Sequence, residues 1–293
     1  MRHLLFIACM LIIRISLAQS GSIQVTDDLG HSIQTSKPAK RVASLAPHVT
    51  EMLFAAGAGS QVIAGVSYSD YPPIAKTLPQ LGTYTKIDFE TLMAIKPDLV
   101  VAWLSGNGAN QINRLKELGL PLYTTNPEIP EDIATNLIRL GRLTGNTSVA
   151  DKASAAFLNE LQQLRFTYSQ RRPVTTFYQV WNNPLVTLNE RHLISHLIKL
   201  CGGKNVFSDL PNLTTQISIE AVLTQDPEVI ISSGIDAQRP DWLDNWLNWP
   251  TLKAVKHGHL FFIPPDIVQR HSPRVLEGAR LLCQQLEQAR SVR

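Results

Sequence analysis

One phrase occurs twice in this chain, and it restricts the possible folds more than any other feature. The first copy reads Glu90-Thr-Leu-Met-Ala-Ile-Lys-Pro97-Asp98-Leu-Val-Val-Ala-Trp103, and the second reads Glu220-Ala-Val-Leu-Thr-Gln-Asp-Pro227-Glu228-Val-Ile-Ile-Ser-Ser233. In each, a glutamate and six residues lead to a proline, an acid and an apolar run. Proline has no N–H and crowds the turn before it, so it stops a short helix. The unbroken apolar run that follows suits a strand covered on both faces, as in a parallel sheet. Because the copies start 130 positions apart, the phrase predicts two similar α/β lobes. A chain with two lobes usually works in the cleft between them.

The rest of the chain is consistent with two such units. A length of 293 residues is enough for two cores. A hydrophobic content of 44% excludes both a disordered chain and a multi-span membrane protein. There is no basic stripe with interleaved aromatics, so nucleic acid is not an expected partner. Residues 1–20 form a separate object: Arg2 and His3, an apolar stretch from Leu4 to Ile13, then small residues around Ala18. The stretch is too short to span a bilayer and has the pattern of a cleavable signal peptide, which implies an exported protein. The net charge of +3 falls by two when Arg2 and Arg14 leave with it. Two cysteines remain, Cys201 and Cys283. An even pair in an oxidising compartment suggests a disulfide, the alternative being two separately buried thiols.

Short strands alternate with helices along the first half: Val42 to Ala46, Val62 to Val66, Leu99 to Trp103 and a strand around Leu122. From Val149 to Tyr168 apolar residues recur at three- and four-residue spacing until Arg171-Arg172-Pro173. That is one amphipathic helix roughly 30 Å long, either an ordinary packing element or a strut between lobes. The second half repeats the alternation, with strands at Val174 to Val180, Val229 to Ser232 and Leu260 to Ile263. Trp242, Trp246 and Trp249 stand at helical spacing and are read as core.

Several residues are candidates for function. Asp88 and Ser218 are good N-caps two residues before Glu90 and Glu220, which places both glutamates in a first helical turn. Either glutamate alone is explained by compensation of the helix dipole. The same acid at the same place in both lobes also suits docking onto a two-fold basic surface. Val66-Ser-Tyr68-Ser-Asp70-Tyr-Pro-Pro73 follows a strand, at the sheet edge where α/β proteins hold ligands. Tyr68, Tyr84 and Trp103 converge there, either as a binding face for a large flat ligand or as loop packing. His257 and His259 would share one strand face, but zinc needs three or four ligands. His48, His192, His196 and His271 add no tight spacing to that pair. Nucleophile elbows and phosphate loops are absent from the sequence, which argues mildly against an enzyme.

These residues together carry a resemblance. Tyr68-Ser-Asp-Tyr-Pro-Pro73, the Glu90 unit with Trp103, Cys201-Gly-Gly203, the Glu220 unit, Ser272-Pro-Arg274 and Cys283 resemble the periplasmic cobalamin-binding proteins of ABC importers. The resemblance runs from about residue 40 to 290. It implies two Rossmann-like parallel-sheet lobes (21–147 and 172–293) joined by a single long helix (148–171), with the ligand between them. It also implies a monomeric periplasmic carrier, not an enzyme, with no cofactor and with cobalamin as its transported ligand. Its partners would be a membrane permease and its ATPase. The ligand contacts would be Tyr68, Tyr84, Trp103 and Asp266, the permease-docking residues Glu90 and Glu220, and the disulfide Cys201–Cys283. Thr214 and Ile267 stand where the cobalamin branch has tryptophans, so half of the expected aromatic clamp is altered. Haem or a ferric siderophore is the alternative cargo, favoured if Tyr68, His271 or Arg270 lines the cleft.

Overall fold

The computed structural model describes residues 22–234 and 237–291. The expected signal peptide lies outside the described residues. In the first lobe, parallel strands Val42–Ser44, Val62–Ala64, Leu99–Trp103 and Leu122–Thr125 are ordered second, first, third, fourth across the sheet. In the second lobe, Val174–Gln179, Gly203–Asn205, Val229–Ser232 and Leu260–Phe262 take the same parallel order. Side chains alternate across each sheet, as the two-residue period of a strand requires. Val42 and Val101 enter one core and Ala43 and Val100 another. Val229 and Ile231 likewise face one core while Ile230 faces another.

The doubled phrase has the same structure in both places. Helices Phe89–Ala94 and Ile219–Gln225 begin at Asp88 and Ser218, whose side chains accept the N–H of Thr91 at 2.9 Å and of Ala221 at 3.2 Å. Proline bars the residue before it from the helical region. Lys96 and Asp226 instead adopt left-handed backbone, with φ of 48° and 42°. The acid after each proline then ties the new strand to the strand beside it. Asp98 accepts the N–H of Lys40 and of Arg41, at 2.9 and 2.8 Å, just before the lobe's first strand. Glu228 accepts the N–H of Thr175 at 3.0 Å and pairs with Arg172 at 2.7 Å, again at the lobe's first strand. Burial raises the Glu228 pKa, but the Thr175 and Arg172 bonds outweigh it and hold the carboxyl below its usual range.

The long helix runs Thr147–Tyr168. Ala150 joins a first-lobe core, while Phe157, Leu161 and Leu164 join a second-lobe core. It does not cross alone. Helix Pro130–Thr144 lies against it and also feeds both, Ile133 and Ala134 into the second lobe and Leu137, Leu140 and Leu143 into the first. The chain reverses at Gly145, a left-handed cap with φ of 76°. The two helices approach so closely that a Cβ on Gly141 would lie 2.2 Å from that of Ala150.

Cys201, at the end of helix Leu193–Leu200, is bonded to Cys283 inside helix Val275–Ser291. The polar stretch before residue 40 holds a hairpin of Ile23–Thr26 and Ser32–Thr35, which buries Val25 and Ile33 in the first lobe. Trp246 is core, and its indole N–H donates to Gln179 at 2.7 Å. The rings of His257 and His259 do meet, stacked at 5.8 Å, and His259 Nδ1 lies 3.1 Å from the Glu228 carbonyl oxygen. Among the described residues, no group of three or more His, Cys, Asp or Glu is arranged to hold a metal ion.

Candidate functional site: the cleft between the lobes

A cavity of about 330 Å³ lies between the lobes, within the size range of small-molecule sites. Trp103, Ser105 and Asn126 line it from the first lobe, and Val180, Arg191, His192, Leu213 and His271 from the second.

Trp103 is the best-defined wall of this space. It ends the third strand and precedes helix Leu104–Glu117. Its backbone N–H donates to Asn107 Oδ1 at 2.6 Å, and the Asn107 amide donates to the carbonyls of Leu45 and Tyr84 at 2.9 and 2.8 Å. One asparagine therefore fixes the strand end, the neighbouring strand and the Tyr84 loop together. The indole lies over Gly106, where a Cβ would come within 1.9 Å of the ring. Only glycine leaves that space free. The indole meets His48 edge-on at 4.8 Å, with His271 at 5.8 Å and Tyr84 at 5.9 Å.

The other expected contacts are more dispersed. Tyr84 touches Trp103 but is half-buried in the first-lobe core. Tyr68 is 74% exposed, on left-handed backbone with φ of 67°. Backbone of that kind in a non-glycine residue is costly and clusters at ligand sites. Asp266 pairs with Arg270 at 2.7 Å, and neither it, Tyr68 nor Tyr84 lines the 330 Å³ cavity. Ile267 packs on the second-lobe core, and Thr214 is exposed in a short strand paired with Val186–Leu188. Trp181 is turned aside, its indole N–H donating to the Asn183 carbonyl at 3.0 Å. The second wall is therefore made of imidazole, guanidinium and aliphatic groups. Glu90 and Glu220 are exposed and are not among the residues lining the cleft.

Two features of the site were not read from the sequence. The first is a charged bridge between the lobes, centred on buried Glu51 of helix Pro47–Ala55. Arg270 reaches Glu51 at 2.8 Å, Asp70 at 2.6 Å and Asp266 at 2.7 Å. Arg274 adds a contact to Glu51 at 3.2 Å and covers the Tyr71 ring at 4.0 Å. Removing one partner of such a buried pair is more damaging than never having built it. The only hints in the sequence were scattered single charges.

The second is a row of three histidines that runs from behind Trp103 into the cleft wall. His48, His271 and His192 have ring centroids 5.5 and 6.4 Å apart in that order. Burial, reinforced by His271 and Arg270, holds the His48 pKa well below its usual value. Burial also lowers His192 to about 4, with His196 adding to the effect, and His271 to about 3, with His192 adding. All three rings are therefore neutral at pH 7. Their spacing of 144 and 79 positions along the chain hid the cluster (192−48 and 271−192).

Comparison with known proteins agrees with this architecture. Residues 42–267 match the family described as periplasmic binding protein. The vitamin B12-binding protein of Vibrio cholerae is 36% identical over 251 residues, covering 85% of this chain and 90% of that one. The crystal structure of the periplasmic vitamin B12 binding protein BtuF of Vibrio cholerae superposes with a TM-score of 0.80 at 35% identity, over 86% of this chain and 98% of that one. A periplasmic heme-binding protein from Roseiflexus shares the fold at a TM-score of 0.75 and 19% identity, over 86% of this chain and 99% of that one. Two lobes with matching sheets, a cleft between them and similarity across nearly the whole described chain lead to one conclusion: this chain belongs to the periplasmic binding protein family, whose members are carriers rather than enzymes.

Proposed function

We propose that this chain captures cobalamin, or a close corrinoid, in the inter-lobe cleft and delivers it to the permease and ATPase of an ABC importer. The observation that carries this reading is the 36% identity to a vitamin B12-binding protein over 251 residues. A cleft walled by Trp103 supports it, since an indole offers a flat apolar face to a large ring system. The ligand is cargo rather than a resident cofactor. Tyr84 and Trp103 supply the first-lobe contacts, Tyr68 closes over the ligand from its exposed loop, and Asp266 meets it from the second lobe. Glu90 and Glu220 dock the loaded carrier on the permease. The protein works as a monomer in the periplasm, after removal of residues 1–20 as a signal peptide. Its lobes comprise residues 21–147 and 172–293, with residues 148–171 as the link.

Calorimetric titration with cyanocobalamin tests the reading. Saturable binding of one equivalent is expected, and no binding at micromolar concentrations would falsify it. One observation favours a second cargo, haem or a ferric siderophore: His271 lines the cleft and offers a metal-binding ring. Competition between haem, a siderophore and cyanocobalamin separates the two, the preferred cargo displacing the others.

A further inference from the structure

Trp103 and His271 both line the cleft with a buried ring nitrogen that has no hydrogen-bond partner, and of the two only the imidazole carries a nitrogen lone pair in the ring plane. His271 lines the cavity with its ring edge-on to Trp103 at 5.8 Å, and it is flanked by His48 and His192. Its Nδ1 is buried without a hydrogen-bond partner. Leaving a buried polar atom unpaired costs about 1–3 kcal/mol, so its persistence calls for a reason. The ring is neutral, as derived above, and a neutral imidazole always keeps one nitrogen lone pair.

His192 sits in the same row but differs in kind. Its Nδ1 accepts the Ile194 N–H at 3.2 Å, which starts helix Leu193–Leu200. Its lone pair is thereby used, and its proton sits on Nε2, so toward the cleft it is a hydrogen-bond donor. Arg270, next to His271 in the chain, is held by Glu51, Asp70 and Asp266. His48 is buried behind Trp103 and is not among the cavity-lining residues. The cleft therefore presents one lining imidazole whose lone pair is not committed to the protein. A single such ligand does not hold a bare ion, which takes several protein donors. It suits a metal that arrives with its equatorial nitrogens already in place.

We propose that His271 is an axial ligand to the metal centre of the macrocycle in the cleft, the corrinoid cobalt of the reading above, on which this inference rests. The step is a ligand exchange. Water leaves the exchangeable axial position of Co(III), and the lone pair of one His271 ring nitrogen forms the new Co–N bond. The other ring nitrogen keeps its proton, the water passes to solvent, and no electron is transferred. His271 thus selects corrinoids with a labile axial ligand over those whose axial position is blocked.

Visible absorption of aquocobalamin on addition of the full chain tests this, with cyanocobalamin as the blocked control. Wild type should shift the aquocobalamin bands in the direction of water replaced by imidazole, saturating at one equivalent. H271A and H271Q should lose the shift and bind aquocobalamin about tenfold more weakly. Both variants should still bind cyanocobalamin saturably, losing less affinity for it than for aquocobalamin, and circular dichroism spectra matching wild type report that they fold. Free imidazole added to H271A should restore the shift, and H192N, which keeps a capping side chain, should retain it. Cyanocobalamin binding with an unshifted aquocobalamin spectrum in wild type, or a shift that survives in both His271 variants, overturns the axial role alone. Failure of wild type to bind either corrinoid overturns the cargo assignment and this inference together.

Discussion

The two lobes share a framework and differ at the faces they turn to each other. Strand order, N-cap, left-handed residue before proline and acid tether all occur in both. At the cleft the resemblance ends. The first lobe presents Trp103 with Tyr84 behind it, and the second presents Arg191, His192 and His271. Groups that build the sheet are repeated because both sheets face the same problem of ending a helix and starting a buried strand. Groups that meet a ligand are not, because an asymmetric ligand offers each wall different chemistry.

The disulfide is the largest departure from symmetry, since only the second lobe has one. Replacing both cysteines with serine, or reducing the native protein, is expected to lower unfolding free energy by about 4 kcal/mol, as chain entropy gives for a bridge across 82 positions. Urea unfolding with and without reductant measures the loss. Hydrogen exchange should show extra local opening of helices Leu193–Leu200 and Val275–Ser291 on top of the global loss shared by both lobes, and the absence of any extra loss there would break the comparison.

Next in size are the acid tethers. Asp98→Ala and Glu228→Ala should each destabilise by about 1.5 kcal/mol, the low end for hydrogen bonds to a charged group that is only partly shielded from water. Matching losses in denaturant midpoints sharpen the equivalence of the lobes. A loss confined to Glu228→Ala would mean that the Arg172 pair, rather than the shared backbone contacts, supplies the stabilisation. The smallest effect on the isolated protein belongs to the exposed glutamates. Glu90→Ala combined with Glu220→Ala should lower unfolding free energy by less than either tether substitution, through the helix-dipole contribution of exposed first-turn acids, and leave cyanocobalamin affinity unchanged while uptake of labelled cobalamin by cells falls. Uptake at the wild-type rate would remove the docking role.

The framework was legible in the sequence because its signals are local. Proline, its preceding helix and its following acid occupy consecutive positions, and their local geometry follows from steric rules acting over a few residues. Trp103 was legible for the same reason, as the end of a strand at the sheet's ligand-binding edge. The bridge from Glu51 to Arg270 spans 219 positions, and the histidine row is scattered almost as widely. Neither has a period or spacing, so only the folded chain brings them together. Ile267 shows the converse. The resemblance expects a tryptophan at this position, yet Ile267 packs on the core, and the second wall is completed by Arg191, His192 and His271, of which the sequence offered only His271 as a cleft residue.

The crossing helices have a consequence for how the molecule comes apart. Pro130–Thr144 and Thr147–Tyr168 each place side chains in two cores at once. Cutting the chain at Gly145 would strip Ala150 from the first lobe, and Ile133 and Ala134 from the second. Neither half is then a complete folding unit, and the melting of one core withdraws support from the other. Despite two sheets and a visible internal repeat, the protein should behave thermodynamically as one cooperative body, whose halves can diverge in chemistry but cannot be inherited or exchanged separately.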